Sequence, residues 1–173
     1  MKHLYVIRHG QSVANVAGVL SGHTDHALTD EGRAQARRAG EQAKELGIDY
    51  IVSSPLARAY ETAKIIAREI GYPTDGIEVN PLLIKRNFGT LEGTPYTPDY
   101  DADGIEGAER EHELRARAEQ LYDYLRTIDA DNVLLVSHGS TARMIRSVVV
   151  PHVPFRSDAP GHHFPNAEIV QLV

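Results

Sequence analysis

The chain contains no cysteine. That excludes disulfides and thiolate metal sites, and it suits a cytoplasmic protein. It also lacks an excess of positive charge. Eighteen Lys and Arg stand against 24 Asp and Glu, a formal net charge of -6. A broad nucleic-acid-binding surface is therefore not expected, and an anionic partner must be met by a local group of cations. No apolar run is long enough to span a membrane, so no membrane partner is expected. The start, Met1-Lys2-His3, leads straight into a strand-like run, so no signal peptide is expected either. There is no internal repeat and no low-complexity block. What is present is 173 residues, 42% hydrophobic and 24% charged. That balance fits one globular domain, 1–173, with its own core.

The most informative stretch is Leu4 to Asn15, LYVIRHGQSVAN. Leu4-Tyr5-Val6-Ile7 is an apolar run that suits a buried strand. It breaks abruptly into Arg8-His9-Gly10. In an α/β protein, chemistry collects in the crevice beyond the carboxyl ends of the strands. His9 is a candidate nucleophile or base there. Arg8 is a permanent cation whose planar fork suits phosphate oxygens. Gly10 lets backbone approach a ligand closely.

Gln11 to Ala17 then reads as a short helix or turn, followed by a polar loop. Thr29 is an N-cap for a helix running to Leu46, with Asp30 and Glu31 in its first turn and Gly47 past its end. Ile51-Val52-Ser53 is a short strand. Ser54-Pro55 reads as the N-cap and first residue of a helix that carries Ala59, Ala63, Ile66, Ala67 and Ile70 on one face. Arg58 lies in its first turn. Val79 to Ile84 offers another strand. Asn87 to Glu109 is loop-like and has no Lys, Arg or His. Glu109 to Ile128 is an amphipathic helix buried along Leu114, Ala118, Leu121 and Leu125. Val133-Leu134-Leu135-Val136 is the continuous apolar run of a strand covered on both faces. It ends in Ser137-His138-Gly139-Ser140, enters a helix that Pro151 stops, and is followed by a last strand from Ile169 to Val173. Strands alternating with helices imply an α/β fold, a mainly parallel sheet with helices on both faces.

In such a sheet Ile7-Arg8-His9-Gly10 and Val136-Ser137-His138-Gly139 end at the same edge, and Arg58 enters from a third junction there. Two histidines and two arginines beside helix N-termini make an anion site with two candidate proton or phosphoryl carriers. LYVIRHGQSVAN, LTDEGRAQA, SPLARAYETA and LLVSHGS, in that order, resemble the histidine phosphatase superfamily, also called the phosphoglycerate mutase-like family. The resemblance covers nearly the whole chain and implies a three-layer α/β/α sandwich. It implies that His9, of the RHG motif, attacks phosphorus and becomes a phosphohistidine. It further implies that Arg8, Arg58 and His138 hold the phosphoryl group, that Asn15 belongs to the same pocket, and that Ser21 and Gly22 form a loop that touches substrate in the mutases. Gly139, like Gly10, would offer a backbone N–H nearby. Fixed cations stabilise the charge spread over a phosphoryl group in transfer, so neither a metal nor another cofactor is expected.

One departure stands out. Where the family carries the acid that protonates the leaving oxygen, this chain reads Leu83-Ile84-Lys85-Arg86-Asn87-Phe88-Gly89, with Lys85 at the acid's position. Lys85 either donates a proton with a lowered pKa or acts only as a further phosphate cation. Glu92 and Glu106 are alternative acids. His23 with His26, His162 with His163, and the run Asp99, Asp101, Asp103, Glu106 fall short of metal-site spacing. The expected function is hydrolysis of small phosphomonoesters through a phosphohistidine. The expected partners are a small phosphorylated metabolite and product inorganic phosphate, with a homodimer kept as a candidate assembly. The alternatives are a phosphoglycerate mutase, disfavoured by the cation-free 87–109 segment, and a catalytically weakened phosphate-binding or regulatory protein, motivated by Lys85.

Overall fold

The computed structural model describes residues 1–97, 101–156 and 163–173. Five strands form one sheet in the order β3-β2-β4-β1-β5. They are β1 (His3–Arg8), β2 (Tyr50–Ser53), β3 (Glu78–Val79), β4 (Asn132–Ser137) and β5 (Ile169–Gln171). All pairings are parallel except that of β5 with β1. The centre is β1 against β4, in the register His3 opposite Asn132 through Arg8 opposite Ser137. Leu4 to Ile7 and Val133 to Val136 are buried on both faces, which is why their runs show no polar alternation.

Helices cover both faces. On one side lie α2 (Asp30–Ala43) and α3 (Ala57–Ile70), packed through Ala39, Ala43, Ala59, Ala63, Ile66 and Ala67 onto Tyr5, Ile7, Ile51, Leu134 and Val136. On the other lie α4 (Glu111–Leu125) and α5 (Gly139–Val149). There Leu114, Leu121, Leu125, Met144 and Ile145 meet Leu4, Val6, Val52, Val133 and Leu135. A short helix α1 (Val13–Ala17) follows β1, closed by a reciprocal capping box between Ser12 and Asn15. The three layers are those expected, and the apolar stripes fall on the expected faces. No helix among the described residues is long and apolar enough to cross a membrane.

Two local expectations fail. The strand expected over Val79 to Ile84 stops at Val79. Pro81 has no N–H for a ladder, and the Asn80 side chain accepts from the Leu82 N–H at 3.0 Å, which turns Pro81–Leu83 into a 3-10 helix. The α3 helix starts at Ala57, not at Pro55. Its Ala57 N–H is capped from another loop by Asp25 Oδ2 at 2.6 Å. The Ser54 hydroxyl is drawn instead toward a histidine of β4's carboxyl end. Asp99 and His162 lie outside the described residues.

Candidate active site

The carboxyl edge of β1, β2 and β4 opens into a cleft of about 350 Å³. His9 leaves the end of β1 with its N–H on the Ser137 carbonyl at 3.0 Å. Its Nδ1 lies 2.7 Å from the Gly10 carbonyl oxygen. A carbonyl only accepts, so Nδ1 carries the proton and Nε2 holds a lone pair. Burial pushes the His9 imidazolium well below its ordinary range, and Arg8 and Arg58 push it further. His9 is therefore a neutral, oriented imidazole whose Nε2 carries the lone pair. Gly10 is required behind it. Any Cβ there would strike the backbone oxygen of Gly32, on the first turn of α2. Its N–H is held by Thr62 Oγ1 at 3.1 Å.

Arg8 sends Nη1 to the Phe164 carbonyl at 3.1 Å. Its Nε is buried without a hydrogen-bond partner among the described residues. Arg58 is 1% exposed and firmly fixed: Nη2 donates to the Gly22 carbonyl at 3.0 Å, and Nη1 to the Thr24 carbonyl at 3.1 Å and Asp25 Oδ1 at 3.2 Å. Asp25 thus binds both the helix N-terminus and the arginine it carries. His138 packs edge-on to His9, ring centroids 5.2 Å apart. Its Nε2 is 2.8 Å from Ser54 Oγ, and its Nδ1 is buried without a partner among the described residues. Burial holds it well below the ordinary histidine range, helped by His9 and Arg58.

Asn15 lines the cleft, its Oδ1 occupied by the Ser12 N–H at 3.0 Å and Asn166 Nδ2 at 3.2 Å. Its amide NH₂ is the group left to offer an anion. Asn166 also donates to the His9 carbonyl at 2.8 Å. Ser21 and Gly139 line the cleft as expected. Gly22 is not among the cleft residues. It holds a φ of 50°, has no room for a Cβ beside Glu92, and serves through its carbonyl on Arg58.

Lys85 is half-buried in the wall, with Nζ donating to Ser140 Oγ at 3.0 Å and lying 5.0 Å from the centre of the Phe88 ring. Burial, then Arg8, Arg143 and Arg58, push its pKa well below the ordinary lysine value. Arg143, one turn into α5, also lines the cleft, stacked 5.7 Å from the centre of the Phe155 ring. Arg143, Ser54, Asp25 and Asn166 belong to the site without having been expected there from the sequence. Arg143 was detectable as the residue four positions after Gly139, on the same helix face. The other three act through loops whose course no local pattern fixes.

The alternative acids are absent from the cleft. Glu92 accepts from the His23, Phe88 and Thr24 N–H groups and the Thr24 hydroxyl. Burial pushes its carboxyl up, but these donors win and hold it below the usual range. Glu106 does not reach the cleft, and among the described residues no Asp or Glu lines it. Asp103 is spent on Arg86 at 2.6 Å, and His23 places Nε2 2.8 Å from the Lys85 carbonyl. Among the described residues no three His, Asp or Glu side chains converge as metal ligands.

The histidine phosphatase superfamily (branch 1) matches residues 4–173. The chain belongs to this superfamily. Over 92 residues it is 37% identical to the probable phosphoglycerate mutase GpmB of Erwinia tasmaniensis, which covers 53% of this chain and 41% of that protein. It is 33% identical over 165 residues to the probable phosphoglycerate mutase GpmB of Yersinia pestis, covering 87% of this chain and 75% of that protein. The structure of mycobacterial glucosyl-3-phosphoglycerate phosphatase complexed with VO3 superposes with a TM-score of 0.85 at 26% identity, covering 99% of this chain and 92% of that one. The phosphoglycerate mutase-like fold expected from the motifs is the fold observed.

Proposed function

We propose that this superfamily member is a phosphatase that hydrolyses small phosphomonoesters through a phosphohistidine at His9. The observation that carries the reading is the Nδ1 to Gly10 carbonyl contact of 2.7 Å, which leaves the Nε2 lone pair to attack in a cation-lined cleft. In this reading Nε2 attacks phosphorus, the ester P–O bond breaks, and the leaving oxygen takes a proton. Water then attacks the phosphohistidine, releasing inorganic phosphate and regenerating neutral His9. Arg8, Arg58, His138 and the Asn15 amide hold the phosphoryl oxygens as charge spreads over them. The cleft of about 350 Å³ admits a small metabolite, and a cytoplasmic location is part of the proposal.

A second reading, a phosphate-binding protein with weak turnover, is favoured by the same wall, because Lys85 and, among the described residues, no carboxylate lines the cleft. A mutase would return the phosphoryl group to an organic hydroxyl, so inorganic phosphate release against transfer to an added acceptor separates it. The first test is covalent trapping. Incubation with a labelled phosphodonor and an alkaline quench should leave acid-labile label on the parent protein and none on His9→Ala. Undiminished label on that variant removes the proposal. Aryl phosphate turnover with no alkyl phosphate turnover supports the weakened reading, since aryl oxygens leave without a proton donor.

A further inference from the structure

Lys85 sits in an arrangement that asks for negative charge. Arg8, Arg58, Arg143 and Lys85 line one small cleft of a chain whose net charge is -6, and among the described residues no carboxylate lines it with them. The lysine is also held with unusual care. Ser137 Oγ donates to the Leu83 carbonyl at 2.8 Å and Thr141 Oγ1 to the Ile84 carbonyl at 2.9 Å. Arg117 Nη1 donates to the Leu82 and Ile84 carbonyls at 2.6 and 2.9 Å. Ser140 then receives the amine itself.

We propose that Lys85 is a carbon dioxide site, where the amine becomes an N-carboxylated lysine whose new carboxylate is held by Ser140 and the surrounding arginines. The Nζ lone pair forms a bond to the carbon of CO₂, one C=O electron pair moves onto oxygen, and the nitrogen releases a proton to solvent. No electron is gained or lost overall. The product exchanges a cation or neutral amine for an anion amid three arginines, with the Ser140 hydroxyl as donor.

The step needs an unprotonated amine. Arg8 on β1, Arg58 on α3, Arg143 on α5 and Arg86 on its own segment all disfavour the ammonium, as does burial. His9 and His138 are held neutral, and His23 meets only the backbone carbonyl. The Phe88 ring favours the ammonium, a smaller effect. The chain has only three other lysines, at positions 2, 44 and 64. Lys2 and Lys44 are paired with Asp131 and Glu41, which raises them, and Lys64 lies over the Tyr60 ring. Selectivity for Lys85 follows.

The carbamate also deepens the phosphatase reading, on which this part rests: it supplies beside the leaving oxygen the carboxylate that the described cleft residues lack. The test is carbon-13 NMR of the parent protein equilibrated with ¹³C-bicarbonate at mildly alkaline pH. A carbamate signal of about one per chain should vanish in Lys85→Arg, which keeps the cation and cannot be carboxylated, and diminish in Ser140→Ala. The α-amino group gives its own signal, which Lys85→Arg leaves in place. No signal that depends on Lys85 overturns the proposal. Turnover of an alkyl phosphate, assayed from CO₂-free buffer, should rise on adding bicarbonate by on the order of 10²-fold, the low end for acid–base catalysis. Lys85→Arg should not respond, and Lys85→Glu should be active without bicarbonate. A Lys85-dependent signal in a protein without phosphatase activity supports the modification and removes the phosphatase reading. Activity without the signal does the reverse.

Discussion

His9 and His138 are the same side chain at the ends of neighbouring strands, and their surroundings give them opposite faces. The Gly10 carbonyl takes the proton of His9 Nδ1, so Nε2 is left as a lone pair. Ser54 Oγ engages His138 Nε2, so Nδ1 is the nitrogen left for a ligand. As Nδ1–H it would donate to a phosphoryl oxygen, with Nε2 accepting from the serine hydroxyl. Ser54 is thus a positioning residue in the proposed reaction. Ser54→Ala should lower kcat by roughly tenfold, the loss of about 1.4 kcal/mol expected for one hydrogen bond. The pH profile of kcat should shift as well, since the His138 tautomer is no longer held. Full activity with an unshifted profile would show that Ser54 only packs.

At the scale of elements, the site is an edge, and edges were the legible part. The runs ending in Arg8-His9-Gly10 and Ser137-His138-Gly139 announce two buried strands by composition alone, and parallel pairing brings their ends together in register. Periodic alanines announced α2 and α3. The failures lie where a side chain serves a distant segment instead of its own. Ser54 looks like a cap and serves His138, and Asp25 caps a helix 32 residues away. No local pattern encodes such pairings. The same edge depends on two backbones touching, that of the loop after β1 and that of α2, at Gly10 and Gly32. A Cβ at Gly10 meets backbone, which cannot swing away as a side chain would. Gly10→Ala should therefore destabilise the fold by about 2 kcal/mol or more, lowering Tm by roughly 4–8 °C at this chain length. A Tm within 1 °C of the parent, on the order of the shift from a neutral surface change, would mean that α2 is free to retreat.

Across the whole molecule, a chain of net negative charge folds around a cleft lined by positive side chains, and that cost should be visible in its stability. His9 and His138 are held well below 6.5 in the folded protein and return to that value on unfolding. The unfolded chain therefore binds more protons as pH falls below 6.5, and stability drops with pH from there down to the folded values. Each histidine contributes up to about 1.4 kcal/mol per pH unit in that window. Chemical denaturation at pH 6.5 and 5.5 should show a loss of up to about 2 kcal/mol for the pair, because each unfolded histidine is already half protonated at pH 6.5, and His138→Gln should remove about half. An anion answers the same charge. Inorganic phosphate at about 100 times its Kd should add ~2.7 kcal/mol at pH 7.5, or roughly 5–10 °C in Tm for a chain of this length. Arg58→Ala should abolish most of that gain, because Arg58 is the cation most firmly fixed by its neighbours and so the least able to be replaced by another. A parent protein indifferent to saturating phosphate would show that the cluster is not an oxyanion site, and the acid loss of stability would then be a property of the fold alone.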